Sequence, residues 1–91
     1  MDVLILSGDL GPARSFDLDR ELRTATTVVR PIVIVDLSGA THIHPAVMSV
    51  VIRHQRQARR QGGELQVVLP VDPEARRALD RVGLVGSVIP E

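Results

Sequence analysis

The sequence contains no cysteine, tryptophan or tyrosine, and its single aromatic residue is Phe16. Without cysteine there can be no disulfide framework and no thiolate chemistry. One aromatic ring offers no stacking surface for nucleic-acid bases. No apolar stretch approaches the ~18 residues that a membrane-spanning helix needs, and the start at Met1 lacks the basic residues of a secretory signal. These absences predict a cytoplasmic protein that neither binds nucleic acid nor inserts directly into a membrane.

Length and composition predict one folded domain. The chain has 91 residues, of which 44% are hydrophobic and 24% are charged, and its formal net charge is zero. A chain of this length holds one modest hydrophobic core and has no room for a second. We therefore treat residues 1–91 as a single domain.

Apolar runs and helical spacings alternate along the chain. Runs rich in β-branched and other aliphatic residues predict strands at residues 3–6, 32–37, 65–69 and 87–89. Between them, apolar stripes and helix-capping residues predict helices at about 18–29, 46–61 and 72–83. This β-α-β-α-β-α-β order predicts an α/β fold, a small mixed sheet with about three helices packed on it.

The individual elements carry further predictions. The strand after Pro31 is apolar at consecutive positions, which is typical of a central parallel strand buried on both faces. Asp17 and Asp19 are predicted to lie early in the first helix, at the positive end of its dipole, and Gly11, Pro12 and Ser15 are competing boundaries for its start. Its buried stripe would consist of Leu18, Leu22, Ala25 and Val29.

The second and third helices have clearer boundaries. The helix from Ala46 should bury Val47, Met48, Val51, Ile52, Gln55 and Ala58, and Gly62 and Gly63 should end it. For the third helix, Asp72 is the predicted N-cap, followed by Pro73 at the first helical position. Ala75, Ala78, Leu79 and Val82 form its predicted buried stripe.

Four segments, in order, resemble the STAS domain family, and in particular the anti-sigma factor antagonists. They are LSGDL at 6–10, IVDLSGAT at 34–41, RRQGGEL at 59–65, and DPEARRAL with VGL at 72–79 and 82–84. The resemblance implies a STAS-like fold without enzymatic activity or a cofactor. It also implies a protein partner, an anti-sigma factor or a kinase-like ATPase. The alternative within the family is a soluble subunit of a lipid or anion transport assembly.

The sequence departs from the family at its phosphorylation site. Anti-sigma factor antagonists usually carry Asp-Ser-Ser/Thr-Gly before the second helix, whereas this chain has His44, Pro45, Ala46 and Val47. Ala46 occupies the degenerate phosphoacceptor position, and Gly11 stands where the facing loop often has an aspartate. Phosphorylation at the family's acceptor positions needs a hydroxyl oxygen, and neither Pro45 nor Ala46 has one. We therefore expect no phosphorylation at this turn.

The partner is expected to dock on this turn and on the helix after it, as the resemblance implies. The predicted partner-binding residues are His44, Pro45, Ala46, Val47, Val50 and Arg53. Helical spacing directs Ala46 and Val50 towards solvent, so that Val50 could be an apolar anchor edged by Arg53. The competing interpretation is that Val50 is an ordinary exposed aliphatic residue.

The histidines and arginines leave other interpretations open. His42 and His44 would point the same way in an extended segment and, with His54, could form a metal site. We favour histidines that do not converge, since no carboxylate or cysteine completes the set. The predicted second helix also carries four arginines, which fit a solvated face better than a phosphate site: Arg53, Arg56, Arg59 and Arg60. No catalytic arrangement of serine with histidine or lysine is present at a recognisable spacing.

Overall fold

The computed structural model describes residues 1–81 and 88–89. Along these residues the elements are β1 (Asp2–Ile5), β2 (Gly8–Leu10), α1 (Pro12–Thr26), β3 (Ile32–Asp36), β4 (Ala40–Ile43), α2 (Pro45–Arg60), β5 (Glu64–Val68), α3 (Pro73–Arg81) and β6 (Val88–Ile89). The predicted α/β fold with three helices is confirmed. The predicted roles of Val82, Gly83 and Ser87 lie outside the described residues. None of the described helices is long and apolar enough to cross a membrane.

The main sheet has four strands in the order β1-β3-β5-β6, and each described pair of neighbours is parallel. Each β-α-β connection therefore joins adjacent strands and, with the usual right-handed crossover, places its helix on the same face of the sheet. The burial pattern agrees, because Val33, Val35, Leu65 and Val67 are buried whereas Ile32 is exposed. The central strand is parallel, as predicted, but the prediction that both of its faces are buried is wrong.

A second, two-stranded sheet was not predicted. β2 and β4 pair in parallel, with an irregular register between Gly8 and Asp9. Residues 40–43 lie between the predicted strand at 32–37 and the predicted helix from Ala46, where no strand was expected. Ala40 and Ile43 are instead buried, and they anchor the strand that leads into α2.

The first helix is displaced towards the N-terminus from its predicted position. It begins at Pro12, with Gly11 as N-cap, and it ends at Thr26. Asp17 and Asp19 therefore lie in its middle, and the prediction that they stabilise its start is wrong. Leu18, Leu22 and Ala25 are buried as predicted, but Val29 follows the helix and is exposed.

The second helix is covered on two sides, because it packs against both α1 and β5. Its buried arc therefore extends beyond the predicted stripe to include Val50 and His54. Val50 is only 6% exposed, so the prediction that it faces solvent is wrong. Ile52, predicted to be buried, is only partly so.

The turns after α2 and before α3 follow the predicted chemistry. Gly62 has a φ of 78°, a left-handed conformation that favours glycine. A side chain at Gly63 would overlap the carbonyl oxygen of Pro31, so the turn after α2 can approach the segment before β3 this closely only because residue 63 is glycine. Before α3, the carboxylate of Asp72 accepts hydrogen bonds from the amides of Glu74 and Ala75, both at 3.1 Å. Asp72 is the N-cap, as predicted.

Replacing Val50 by aspartate should unfold much of the protein rather than perturb its surface. A buried carboxylate without a partner loses hydration, and the valine contacts are lost as well, so we expect a loss of about 3 kcal/mol or more. The neighbouring Ser49 is exposed, and Ser49→Asp should change stability by less than about 0.5 kcal/mol. Urea unfolding of both variants measures the difference. Equal stability of the two would contradict the buried position of Val50.

Candidate functional site

The ends of β2 and β4 bring the starts of two helices together. The amide of His44 donates to the carbonyl oxygen of Leu10 at 2.9 Å. Gly11 caps α1 directly after Leu10, and His44 caps α2. The predicted turn and its facing loop are therefore neighbours in the structure.

The side chain of His44 caps the turn before α2. The Nδ1 atom of His44 accepts a hydrogen bond from the amide of Ala46 at 3.1 Å, and the carbonyl oxygen of His44 accepts from the amide of Val47 at 2.9 Å. Pro45, the first helical residue, has no amide proton to offer. Amides that could have bound a phosphate group are thus used for capping or absent, and positions 44–47 hold no hydroxyl.

The exposed side of α2 begins at this turn. Pro45, Ser49 and Arg53 recur at intervals of four residues and are exposed, so they form a continuous strip that we call the α2 ridge. Ala46 is half-buried beside it. Val47 and Val50 are buried in the core, so neither side chain is exposed to a partner in this structure. Pro45, Ala46 and Arg53 remain available to a partner.

On the flank of α2 that faces α1 lies a polar cluster that the sequence patterns did not predict. His54 is 7% exposed, and its Nε2 atom lies 2.7 Å from Oδ1 of Asp19. The same carboxylate accepts hydrogen bonds from Arg53 and, at 2.7 Å, from Arg23. Asp19 therefore joins two residues of α2 to its own helix.

The second nitrogen of His54 completes the cluster. Its Nδ1 atom lies 3.3 Å from the hydroxyl oxygen of Thr26, and that hydroxyl donates its proton to the carbonyl oxygen of Leu22 at 2.7 Å. The two ring nitrogens of His54 thus contact Asp19 and Thr26, both of α1, so His54 links α2 to two positions on the neighbouring helix.

The cluster has the residue types of a hydroxyl–histidine–carboxylate catalytic set, but its hydroxyl is not accessible to a substrate. Thr26 is 1% exposed and its proton is committed to a backbone carbonyl. A nucleophile must reach a substrate, so this cluster serves to hold α1 against α2. Its hydrogen bonds join Asp19 and Thr26 of α1 to Arg53 and His54 of α2.

Asp19 is tuned by its partners. The hydrogen bond from His54, with further contributions from Arg53 and Arg23, outweighs partial burial and lowers the pKa of Asp19 to about 2 from 3.8. The charged carboxylate is thus favoured by the folded state.

The three histidines lie in different places. His42 lines a shallow groove between β4 and α3, together with Ala75 and Arg77. His44 caps α2, and His54 binds Asp19. Across residues 1–81 and 88–89, no group of three or more histidine, aspartate or glutamate side chains could hold a metal ion.

Comparison with known proteins adds no assignment. No protein-family model matches the chain, and no curated protein matches it.

Removing the carboxylate of Asp19 should destabilise the protein in a pH-dependent way. Because the pKa of Asp19 is lower in the folded state, its contribution is present above about pH 4 and is lost as the pH falls towards about 2. Asp19→Asn should therefore lose roughly 2 kcal/mol near neutral pH, and the deficit should shrink in acid. Asp17 on the same helix makes only an exposed ion pair with Arg20, so Asp17→Asn is the matched control and should have little effect. Urea unfolding between pH 2 and pH 7 measures both, and a deficit that does not vary with pH would contradict this role of Asp19.

Proposed function

We propose that this chain is a non-enzymatic regulatory domain that binds a protein partner through the α2 ridge, in the manner of the anti-sigma factor antagonists that its sequence resembles. The partner would be an anti-sigma factor or a kinase-like ATPase in the cytoplasm. The observation that carries the proposal is the turn at residues 44–47. It leads directly into the exposed strip of α2, but its own side chain caps it and it has no phosphoacceptor.

The arginines on and beside the ridge favour an acidic partner surface. Arg53 belongs to the ridge and Arg56 is exposed next to it, and both line a groove with Ser49 and Ile52. A strip of arginines beside the half-buried Ile52 suits an interface of modest size. In such interfaces arginine often contributes much of the binding energy. Arg53 also contacts Asp19, so one end of the ridge is fixed to the polar cluster.

A rigid turn without a hydroxyl implies constant binding competence. In the family, phosphorylation ends docking because it places negative charge in the interface. A domain whose turn cannot accept phosphate would remain able to bind its partner at all times, and its activity would depend on its concentration.

Incubation with a partner kinase and labelled ATP should leave residues 44–47 unlabelled. No side-chain hydroxyl is present there to accept the phosphoryl group, and Nδ1 of His44 is occupied by the amide of Ala46. Peptide mapping by mass spectrometry gives the site of any label. Phosphohistidine at His44 would contradict the proposal. Label on the exposed Thr41 or Ser49 would show that regulation by phosphate persists beside the turn, and would overturn constant competence.

Introducing a negative charge in the middle of the ridge should weaken binding while the fold is kept. Ser49→Glu places a carboxylate between Pro45 and Arg53, and we expect the affinity for the partner to fall by about ten-fold or more. Arg76→Glu changes an exposed residue of α3 and should leave the affinity unchanged. The partner is identified by affinity capture from the source cells, and Kd values are then measured by calorimetry with the purified partner. Equal affinities of the two variants, with unchanged melting curves, would place the interface elsewhere. Capture of a transport permease instead of an anti-sigma factor would support the alternative function.

A further inference from the structure

Strand β1 is an unpaired edge of the main sheet within the described residues. It pairs with β3 on one side only. The amide of Leu6, directly after β1, donates to the backbone carbonyl oxygen of Asp36 in β3 at 2.9 Å. Because successive peptide groups of a strand point to opposite sides, the amides and carbonyls of Val3 and Ile5 point away from β3, towards the open edge.

This edge lacks the features that usually protect edge strands from pairing. Natural edges carry lysine, proline or a bulge, whereas Asp2 is the one charged residue of β1, and β1 contains no proline. Val3 and Ile5 are 50% and 72% exposed. An aliphatic strand with free backbone groups is a site for the addition of another strand.

We propose that β1 pairs antiparallel with β1 of a second copy of this chain, about a twofold axis at Leu4. In an antiparallel pair, opposite residues lie on the same face of the sheet. Centring the pair on Leu4 sets Val3 opposite Ile5 of the second copy, and both belong to the face without helices. The register also matches the free backbone groups, because the amide and carbonyl of Val3 then meet the carbonyl and amide of that Ile5.

The neighbouring helix surface is self-complementary in charge, which favours a second copy over an unrelated strand. The lining of a groove between β1 and α1 includes Asp2, Val3, Leu4, Arg20, Glu21 and Val28. A twofold axis through β1 places the two α1 helices antiparallel on the same face of the joined sheet. Arg20 of one copy then faces the second copy's helix, where Glu21 offers the opposite charge, and the half-buried Leu4 side chains meet beneath them. The same strand and groove thus supply both halves of the interface, as a twofold contact requires.

Sedimentation equilibrium of the purified chain tests the proposal. We expect a reversible monomer–dimer equilibrium. Ile5→Pro removes an amide that points away from β3, so it should weaken dimerisation by about ten-fold or more while the ladder to β3 is kept. Ile32→Lys is the matched control, because Ile32 is an exposed aliphatic residue of an interior strand of the same sheet. It should leave the dimer intact.

Amide hydrogen exchange on the unaltered chain gives a second measurement, which decides the matter if Ile5→Pro does not fold. The amides of Val3 and Ile5 should exchange more slowly as protein concentration rises. A monomer at all concentrations, or exchange at Val3 and Ile5 that is independent of concentration, would overturn the proposal. A dimer that is broken by Ile32→Lys as strongly as by Ile5→Pro would also overturn it, because the contact would then be made by the sheet face and not by the edge.

Discussion

The order of the parallel strands is the constraint on which the rest of this structure depends. The strands of the main sheet lie side by side in the order in which they occur along the chain, β1-β3-β5-β6, and β2 and β4 form the second sheet. With right-handed crossovers this order gives one layer of helices on one face. It leaves the other face and the β1 edge without cover among the described residues, and it sets α2 between α1 and β5. Both proposed interaction surfaces follow from this arrangement.

The cluster of Asp19, His54 and Thr26 follows from the position of α2. A helix that packs on a sheet and on a second helix must bury a broad arc, and a polar residue in that arc needs partners. His54 finds them in Asp19 and Thr26 of α1. Because Arg53 shares the Asp19 carboxylate, the cluster also orients a residue of the α2 ridge. The packing of the core and the shape of the proposed interface are therefore linked through one carboxylate.

Sequence patterns predicted those elements whose stability is local. β3 begins with four aliphatic residues, β5 is rich in aliphatic residues, and α3 has its N-cap in Asp72, so these predictions required no knowledge of the tertiary structure. β2 and β4 are short and include polar residues such as Asp9 and His42, and each is a strand because the other pairs with it. Nothing within either segment reveals this pairing.

The candidate site was predicted in part for the same reason. The turn at 44–47 and its neighbour Gly11 were found by resemblance, and the structure brings them together through the hydrogen bond from His44 to Leu10. Val50 was misplaced because helical spacing locates a single buried stripe, whereas contact with α1 adds a second. Asp19 and His54 are separated by 35 positions, and only the packing of α1 on α2 makes them partners.

The same strand order has a consequence for how the chain folds. Each new strand of the main sheet joins the one that precedes it in that sheet, so a folding chain closes only the loop of one β-α-β unit at each step. Loop-closure entropy rises with the length of the loop, and folding rates fall as contacting residues become more distant in sequence. The sheet can thus grow outward from β3 by stepwise addition on either side. The pairing of β2 with β4 spans one such unit as well, so the helix-start turns can assemble without waiting for the last strand.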